Sequence, residues 1–576
     1  MLNVIGEVMA GVVLHKIDEE FVYVVFSDNK TEASIKKFFA KRTENFRYSK
    51  KYQNGQWDGY IRYIDYKNRM KYNLLFQLAK YCKVFNLTFR CKNFNPIYAG
   101  DKIWKVMKDR LNSIKLTNGE NEPINYYDFQ YSVIRDLFKF RKLCAEAVPS
   151  SGKSMIIYAF CRLILMAKNS KKNVLIIVPN IDLCGQLYND FIGYDKTFNV
   201  KKYTDIINST ASRFSNKRII ISTWQSYQTR SLREVDVLIC DEVHRAKKQN
   251  SKYFEIIKDF REQKPDAYLL ALTGTIPQGH QHYFEFVGNI GCHMKYTTEK
   301  MMEELKLITK VVINTVLLNH TRDDRERYHH EVNREIEVGD IIKTKTKKYF
   351  NDLELNIPEY ANKEFKIISI NNSVAMTDAG KIPLSHFIDE SKYLKELKWS
   401  ISNENTLNTM FEMSEEEEGN VLILFYKVQN EGKIIHDYFA NRGTKKKLFY
   451  VDGKTKNKGE ILDEVRSMSG GSTTIANVSV LGTGISVKSL RHCMLATSVK
   501  SDEMIRQAIG RVARLFEGKD QSIFTDFVHN FTLKDGNKIM TNVSTISYES
   551  REKIYKERKY PVKIKKINFK ENGYVN

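Results

Sequence analysis

Four short, mainly apolar segments recur between helical stretches in the first half of this chain. They cover residues 173–178, 218–222, 235–240 and 267–272. Continuous apolar runs of this length are typical of strands buried on both faces, so they predict a parallel sheet covered by helices. Polar residues follow each segment, at the strand ends where open α/β sheets bind ligands. We therefore expect an α/β fold with its functional site along one sheet edge.

A candidate phosphate-binding loop lies upstream of these segments and precedes an apolar stretch that can form a helix. Its residues are Ser150, Ser151, Gly152, Lys153 and Ser154. Small residues let backbone N–H groups close around phosphate oxygens, and the helix N-terminus adds partial positive charge. The spacing fits G-x-x-x-x-G-K-[ST], except that Ala147 replaces the first glycine. The pattern predicts ATP binding, with Lys153 on the β- and γ-phosphates and Ser154 on Mg²⁺. A solvated turn before a helix is the alternative.

An acidic pair, Asp241 and Glu242, ends one of the apolar segments about 90 residues after the loop. Asp241 is expected to hold Mg²⁺ through water, and Glu242 to polarise the water that attacks the γ-phosphate. The alternative is that the two carboxylates cap a helix. Gln130, about 20 residues before the loop, is a candidate reader of the adenine edge, because an amide both donates and accepts.

A second α/β unit is predicted from apolar segments at 421–426, 447–451 and 473–477. Gln507 and Arg511 are four residues apart and share a helical face, with Arg514 three residues further on. Guanidinium groups arranged in this way have the form of arginine fingers, so these three residues are predicted to act in catalysis. An ordinary basic helix face is the alternative.

Residues 1–112 are predicted to form a small N-terminal α/β domain that binds DNA. Aromatic residues alternate there with Arg and Lys, which suits rings that stack on bases and cations that contact phosphates. The candidate DNA contacts are Arg47, Lys50, Trp57 and Arg62. The alternative is a hairpin whose rings pack inward while its basic residues are solvated.

The remaining boundaries follow from changes in pattern. The first lobe is predicted at 113–312 and the second at 313–545, and a β-rich, SH3-like insert is expected within the second at about 335–390. The acidic run 415–418 is predicted to be a solvated turn. The basic tail 546–576 has two alternative positions, either along DNA or packed back on the motor.

Composition favours a nucleic-acid partner. The net charge is +23 and the isoelectric point about 9.3, which indicates binding to a polyanion. The sequence has no apolar run of about 18 residues and no basic N-terminal signal, so no membrane partner is expected. The eight cysteines have no C-x-x-C spacing, which predicts reduced and mostly buried thiols in a cytoplasmic protein rather than a zinc site.

Taken in order, these motifs resemble those of the superfamily 2 helicases. The matching positions are Gln130, the loop 149–154, the segment 179–186, Thr223, the Asp-Glu-Val-His box at 241–244, the triplet 273–275, the segment 482–486 and the segment 507–514. A narrower resemblance is to the UvsW-type phage helicases. It rests on an N-G-x-W-D-G-x-I-R element at 54–62 and a T-G-I-S-V-K-x-L element at 483–490.

The resemblance implies further roles for individual residues. It assigns coupling of hydrolysis to lobe movement to His244, Thr273 and Thr275, and ATP contact to Gly484. It assigns DNA contact to Pro179, Asn180, Thr223 and Thr483. The chain departs from the common pattern where Asn180 replaces a threonine and Gly274 an alanine, and its insert is longer than expected.

These observations lead to one hypothesis with two alternatives. The chain is predicted to be a monomeric, Mg²⁺- and ATP-dependent DNA helicase with two RecA-like lobes, in the cytoplasm of a phage-infected host. The resemblance implies 3′-to-5′ unwinding of branched DNA, Holliday-junction migration, fork regression, annealing of single strands, and removal of R-loops, which contain an RNA–DNA hybrid. The alternatives are an RNA helicase or a restriction-type translocase subunit, and a non-catalytic DNA-binding or annealing protein.

Overall fold

The structure is a computed structural model that divides into two compact units, Met1–Ile308 and Thr309–Asn576. It describes residues 10–43, 46–97, 101–118, 121–167, 170–208, 215–227, 234–246, 252–274, 276, 280–333, 341–343, 364–371, 374–377, 380–383, 392–479, 487–535 and 538–570.

The N-terminal part of the first unit is built on a four-stranded sheet. Its elements are β1 (Gly11–Lys16), β2 (Phe21–Phe26), α1 (Asn29–Phe38), β3 (Ala40–Arg42), α2 (Lys50–Gln53), β4 (Tyr60–Arg62), β5 (Arg69–Lys71), α3 (Leu75–Val84), β6 (Thr88–Lys92) and α4 (Asp101–Asn112). The strand order is β5-β2-β1-β6; β2 pairs antiparallel with both neighbours, and β6 pairs parallel with β1. Asp28 caps α1 by accepting a hydrogen bond from the Thr31 N–H at 2.8 Å.

The rest of the first unit is a seven-stranded parallel sheet with helices on both faces. Its elements are β7 (Leu116–Thr117), β8 (Pro123–Ile124), α5 (Asp128–Phe140), β9 (Lys142–Glu146), α6 (Lys153–Met166), β10 (Val174–Val178), α7 (Ile181–Tyr194), α8 (Val200–Tyr203), β11 (Thr204–Ile207), β12 (Ile219–Thr223), α9 (Trp224–Tyr227), β13 (Val237–Cys240), α10 (Lys252–Gln263), β14 (Tyr268–Thr273), α11 (His280–Ile290), β15 (Cys292–Lys295) and α12 (Glu299–Glu304). The strand order is β11-β12-β10-β13-β14-β9-β15, and the apolar segments read from the sequence form β10, β12, β13 and β14.

The two faces of this sheet have different partners. Residues on one face, such as Ile176, pack with buried residues of α5, α6 and α7. Residues on the other face, such as Leu175, belong to one hydrophobic core with α10, α11 and the N-terminal sheet. Phe284 of α11 lies 5.0 Å from Phe39 and 5.3 Å from Tyr63, measured between ring centroids. The N-terminal segment therefore shares its core with the first lobe.

The second unit contains another seven-stranded parallel sheet. Its elements are β16 (Lys310–Asn319), α13 (Arg322–Asn333), β17 (Ile341–Lys343), β18 (Glu364–Asn371), β19 (Val374–Thr377), β20 (Gly380–Pro383), α14 (Lys392–Ser402), α15 (Glu404–Glu416), β21 (Asn420–Phe425), α16 (Lys433–Arg442), β22 (Lys447–Val451), α17 (Lys458–Ser467), β23 (Ser472–Asn477), β24 (Leu490–Leu495), α18 (Asp502–Val512), β25 (Gln521–Asn530), β26 (Leu533–Asp535), β27 (Lys538–Met540), α19 (Val543–Glu557) and β28 (Val562–Asn568). The strand order is β22-β23-β21-β24-β25-β16-β28.

The basic C-terminal segment packs back on the second lobe. Strand β28 pairs parallel with β16 at one edge of the sheet, over seven residues from Ile313↔Val562 to Asn319↔Asn568. Arg551 of α19 is fully buried, and its Nε donates to the Asp526 carboxylate at 2.8 Å. The Tyr555 hydroxyl donates to the same carboxylate at 2.8 Å. A buried charge is retained only where it is paired, so this contact fixes the segment on the sheet.

The predicted fold class of two tandem RecA-like parallel-sheet lobes is confirmed. The described strands of the insert, β17 to β20, form a four-stranded antiparallel sheet. The prediction of a turn at 415–418 was wrong in part, because α15 continues to Glu416 and the Glu415 carboxylate accepts from the Lys445 N–H at 3.0 Å. All eight cysteines are free thiols and seven are buried, as predicted. None of the helices in the described ranges is long and apolar enough to cross a membrane.

Candidate active site and nucleic-acid contacts

The loop between β9 and α6 has the backbone shape that a phosphate site needs. Ser150 and Gly152 both have positive φ, +66° and +72°, and Gly152 is the N-cap of α6. A Cβ on Gly152 would lie 2.7 Å from the Gln130 side-chain nitrogen, so glycine suits this position for space and for conformation. The Gly152 carbonyl accepts from the N–H groups of Met155 at 3.0 Å and Ile156 at 3.2 Å, so α6 begins directly after the loop and its N-terminus lies at the loop.

The replacement of the first motif glycine has a structural reason. Ala147 is fully buried, and its N–H donates to the Thr273 carbonyl oxygen at 2.8 Å as a continuation of the β9–β14 pairing. Its φ is not positive, so the position makes no demand for glycine. Alanine in place of the first motif glycine therefore does not change the curvature of the loop, which depends on the positive φ of Ser150 and Gly152.

Gln130 holds the loop to α5. Its side chain is buried; Oε1 accepts from the Tyr127 N–H at 3.0 Å and Nε2 donates to the Ser151 carbonyl at 3.3 Å. Both ends of the amide are thus engaged within the protein. The structure places Gln130 beside the loop, while its predicted contact with adenine stays a prediction.

Four predicted site residues meet at the carboxyl ends of β9, β13 and β14. Lys153 Nζ donates to Glu242 Oε1 at 3.0 Å, and Glu242 Oε2 lies 3.2 Å from His244 Nδ1. The same histidine nitrogen lies 2.9 Å from Thr273 Oγ1. Glu242 has a φ of +48°, a left-handed conformation that is uncommon for a residue with a side chain. Glu242 is thus part of a connected polar cluster with Lys153, His244 and Thr273.

The two adjacent carboxyl groups differ in their protonation. Burial, and then the neighbouring Glu242 charge, raise the pKa of Asp241 to about 6. Burial also opposes ionisation of Glu242, but Lys153 and His244 outweigh it and lower the pKa of Glu242 below its ordinary value. Glu242 is therefore ionised at neutral pH, and a cation beside Asp241 would favour the ionised form of that residue as well.

Ser154 has a partner that sequence reasoning missed. Its Oγ lies 2.6 Å from the hydroxyl oxygen of Tyr194, the last residue of α7. The next residue, Asp195, is buried, and its carboxylate accepts from the Tyr158 hydroxyl at 3.2 Å and from Arg162. No motif marks Tyr194, because its contact with Ser154 spans 40 residues and depends on how α7 packs on α6.

The predicted DNA contacts of the first lobe lie at the same sheet edge, after β10 and at the end of β12. Asn180 caps α7 by accepting from the Leu183 N–H at 2.9 Å, and Pro179 is buried. Thr223 is also buried, and its Oγ1 lies 3.1 Å from the Ser226 hydroxyl. Their side chains support local structure, so Asn180, which is only partly buried, is the most accessible of the three.

The N-terminal candidates divide into two pairs. Arg47 and Lys50 are exposed. Trp57 is partly buried and its indole N–H donates to the Tyr60 carbonyl at 2.9 Å, while Arg62 is exposed but ion-paired with Asp58. Arg47 and Lys50 therefore have the clearer access to a nucleic-acid backbone.

The second-lobe candidates are arranged differently from the prediction. Gln507 and Arg511 lie on α18, but the helix ends at Val512 and Ala513 caps it, so Arg514 lies beyond its end. The Arg514 carbonyl instead accepts from Lys519 Nζ at 2.7 Å. The expected continuation of one helical face to Arg514 was thus wrong. Thr275, Thr483 and Gly484 lie outside the described residues.

Three family models match the chain. "DNA helicase UvsW, N-terminal" matches residues 13–91, "Type III restriction enzyme, res subunit" matches 110–278, and "Helicase conserved C-terminal domain" matches 403–516. The chain is 24% identical over 528 residues to the ATP-dependent DNA helicase uvsW of Enterobacteria phage T4, and the match covers 88% of each chain.

Similar solved structures include two helicases. The crystal structure of T4 UvsW is 20% identical, with a TM-score of 0.41, over 97% of this chain and 99% of that one. Dbp5 of S. cerevisiae bound to RNA and ADP BeF3 is 12% identical, with a TM-score of 0.45, over 77% of this chain and 89% of that one.

Two RecA-like sheets, with family models of helicases and restriction subunits matched in the two lobes, define an ATP-hydrolysing motor that acts on nucleic acid. The three family models match the N-terminal segment and parts of both lobes, and they make the chain similar to the superfamily 2 helicases of the UvsW type. The chain is an ATP-hydrolysing helicase.

Proposed function

We propose that this helicase acts on branched DNA, namely Holliday junctions, replication forks and R-loops, during phage recombination, replication and repair. The observation that carries the motor part of the proposal is the cluster of Lys153, Glu242, His244 and Thr273 beside the loop. The branched substrate is supported by the N-terminal match to UvsW and by the exposed cations Arg47 and Lys50. The protein would work as a monomer in the host cytoplasm.

The proposed nucleotide site uses the loop residues Ser150 to Ser154 and the acidic pair. Lys153 and the backbone N–H groups bind phosphate oxygens, and the ionised Glu242 orients and polarises the attacking water. The Ser154 hydroxyl and the Asp241 carboxylate are oxygen donors of the kind that Mg²⁺ prefers, and the raised pKa of Asp241 indicates a place where a cation is favourable. Mg²⁺, when bound, would neutralise charge on the phosphates.

The remaining proposed roles rest on the resemblance. His244, Thr273 and Thr275 would couple hydrolysis to movement, and Gln507, Arg511 and Arg514 would serve hydrolysis from the second lobe. Asn180, Pro179, Thr223 and Thr483 would contact the DNA strand, with Gly484 near the nucleotide. The proposed divisions are a DNA-binding segment 1–112, lobes 113–312 and 313–545, and a basic C-terminal segment from 546.

One assay separates this proposal from its alternatives. ATP hydrolysis is measured with single-stranded DNA, a four-way junction, a fork and RNA as the stimulating nucleic acid. Strongest stimulation by junction and fork supports the proposal, and strongest stimulation by RNA would favour an RNA helicase. Hydrolysis that no nucleic acid stimulates would favour a binding or annealing protein.

Two variants then test the DNA contacts. The double variant Arg47→Ala/Lys50→Ala should bind the junction more weakly and with a smaller salt dependence. Each lost phosphate contact lowers by roughly one the number of counterions that the DNA releases on binding. ATP hydrolysis on single strands should be unchanged. Lys300→Ala, which removes an exposed lysine of α12, is the matched control. Junction affinity equal to that of the control would remove Arg47 and Lys50 from the proposed interface.

A further inference from the structure

A cavity of about 600 Å³ lies within the first unit, where the turn between β1 and β2 faces α10 and α11. Four cationic side chains line it, Lys71, Lys142, Lys258 and Arg261. Lys142 is the first residue of β9, whereas the phosphate-binding loop follows the last residue of the same strand. A five-residue strand separates its ends by roughly 15 Å, so the cavity is distinct from the nucleotide site.

Lys142 is buried in the cavity wall without an anionic partner. Its side chain is only 9% exposed, and no carboxylate of the described ranges lies within ion-pair distance of its Nζ. Burial, and then the charge of Arg261, lower the pKa of Lys142 to about 8. Lysine is rarely buried unless it is paired, so a bound anion would stabilise the charged form of Lys142.

Arg261 also lacks a hydrogen-bond acceptor for one of its donors. One guanidinium nitrogen, Nη1, donates to the Asn289 carbonyl, but the buried Nε has no acceptor among the residues that the structure describes. Burial lowers the pKa of Arg261 as well. Two neighbouring cations that repel each other, each with unused donors, favour a ligand with several acceptor oxygens and at least one negative charge.

Four carboxylates also line the cavity, those of Asp18, Glu19, Glu20 and Glu262, and they limit what that ligand can be; Glu262 lies 3.8 Å from Lys258 Nζ. Glu20 lies 3.6 Å from Lys71 Nζ, and Glu19 is paired with Lys16. The Asp18 carboxylate accepts from the backbone N–H groups of Glu20 and Phe21 at 2.7 Å. Because these carboxylates are engaged by Lys71, Lys16, Lys258 and backbone N–H groups, they leave Lys142 and Arg261 for a small anion, whereas a continuous nucleic-acid backbone would meet all four of them.

We propose that the cavity binds a phosphate group, held by the Lys142 ammonium and the Arg261 guanidinium between the N-terminal sheet and the first lobe. The group is either inorganic phosphate or a terminal phosphate of a nucleotide or DNA end. Bound there, it would stabilise the packing of the β1–β2 turn against α10.

The test is a thermal-melting titration of the full chain with inorganic phosphate, against chloride at matched ionic strength. All proteins carry Lys153→Ala, because the nucleotide loop also binds phosphate. We expect a saturable rise in melting temperature in this background. Adding Lys142→Met should weaken the apparent phosphate affinity tenfold or more, whereas adding Lys300→Met should leave it unchanged. Equal titrations with and without Lys142→Met, or no rise with phosphate, would overturn the proposal.

Two further measurements complete the test. Without phosphate, Lys142→Met should melt above its parent, because it removes an unpaired buried charge and keeps the apolar stem. If that variant fails to fold, Arg261→Leu replaces it, with the same loss of affinity expected. Thymidine monophosphate and oligonucleotides with and without a 5′-phosphate then identify the source of the group. Binding that ignores the 5′-phosphate but follows oligonucleotide length would show a backbone contact and refute a terminal-phosphate site.

Discussion

Replacing Glu242 by glutamine should change turnover and nucleotide affinity in opposite directions. The substitution keeps the size of the side chain but removes the charge that we propose polarises the attacking water. Loss of a positioned base of this kind costs about 10²- to 10⁴-fold in rate. In the structure, however, the same carboxylate holds Lys153 at 3.0 Å, with the two side chains 25% and 12% exposed. ATP must compete with this ion pair for the lysine.

The magnitude of the affinity change follows from the strength of that pair. Partly exposed ion pairs contribute about 0.5–1 kcal/mol, which corresponds to about two- to fivefold in binding. Glu242→Gln should therefore bind ATP about two- to fivefold more tightly while hydrolysing it far more slowly.

Both quantities can be measured on one protein, by equilibrium binding of a fluorescent ATP analogue and by single-turnover hydrolysis with saturating DNA. Glu255→Gln, at an exposed position of α10, is the matched control and should change neither. Weaker ATP binding in Glu242→Gln would refute the view that the ion pair competes with nucleotide. Normal turnover would remove Glu242 from the chemical step.

Three other perturbations have defined outcomes. Phe284→Ala should destabilise the first unit by about 3–5 kcal/mol in urea unfolding, because Phe284 packs against N-terminal rings; exposed Phe85→Ala should stay within about 0.5 kcal/mol. Burial lowers the pKa values of His492 and His529 to about 3, so only the unfolded chain takes up their protons between pH 6.5 and 3, and each histidine should lower stability by about 1.4 kcal/mol between pH 7.5 and 5.5. Burial raises the pKa of Glu431 to about 7, which acts in the opposite direction, so the histidine contribution is measured as the difference in pH dependence between the chain and its His492→Gln or His529→Gln variant, and an equal pH dependence would contradict it. Tyr194→Phe should raise the Mg²⁺ concentration needed for nucleotide binding about fivefold, because the Ser154 hydroxyl loses its partner, and an unchanged Mg²⁺ dependence would exclude that role.

The lobes were predictable from sequence because strands buried on both faces leave continuous apolar runs, and local composition alone reveals such runs. The curvature of the loop at Gly152 was readable for a similar reason, since few residues adopt its conformation. The hydrogen-bond partners of the site side chains could not be predicted from the sequence. The Tyr194 contact with Ser154 depends on tertiary packing, and the position of Arg514 depends on where α18 ends, which helical spacing does not report.

The boundary of the N-terminal segment shows the same limit. Composition marks a change near residue 112, but the partners of Phe39 and Tyr63 lie on α11. A cut at residue 113, which sequence alone favours for isolating the motor, would leave Phe284 and Val287 facing water. Loss of ATP hydrolysis in such a truncated chain would therefore reflect misfolding and would say nothing about DNA contact.

The shared core also affects how the chain folds while it is being synthesised. About 245 residues separate Phe39 from Phe284, and a ribosome adds roughly 5–20 residues each second. The first strands therefore leave the ribosome roughly 10 to 50 seconds before the helix that covers them is made. During that interval Phe39, Leu78 and their neighbours lack the helix that covers them in the folded protein, so the nascent N-terminal segment exposes apolar surface that chaperones can bind until α11 is made.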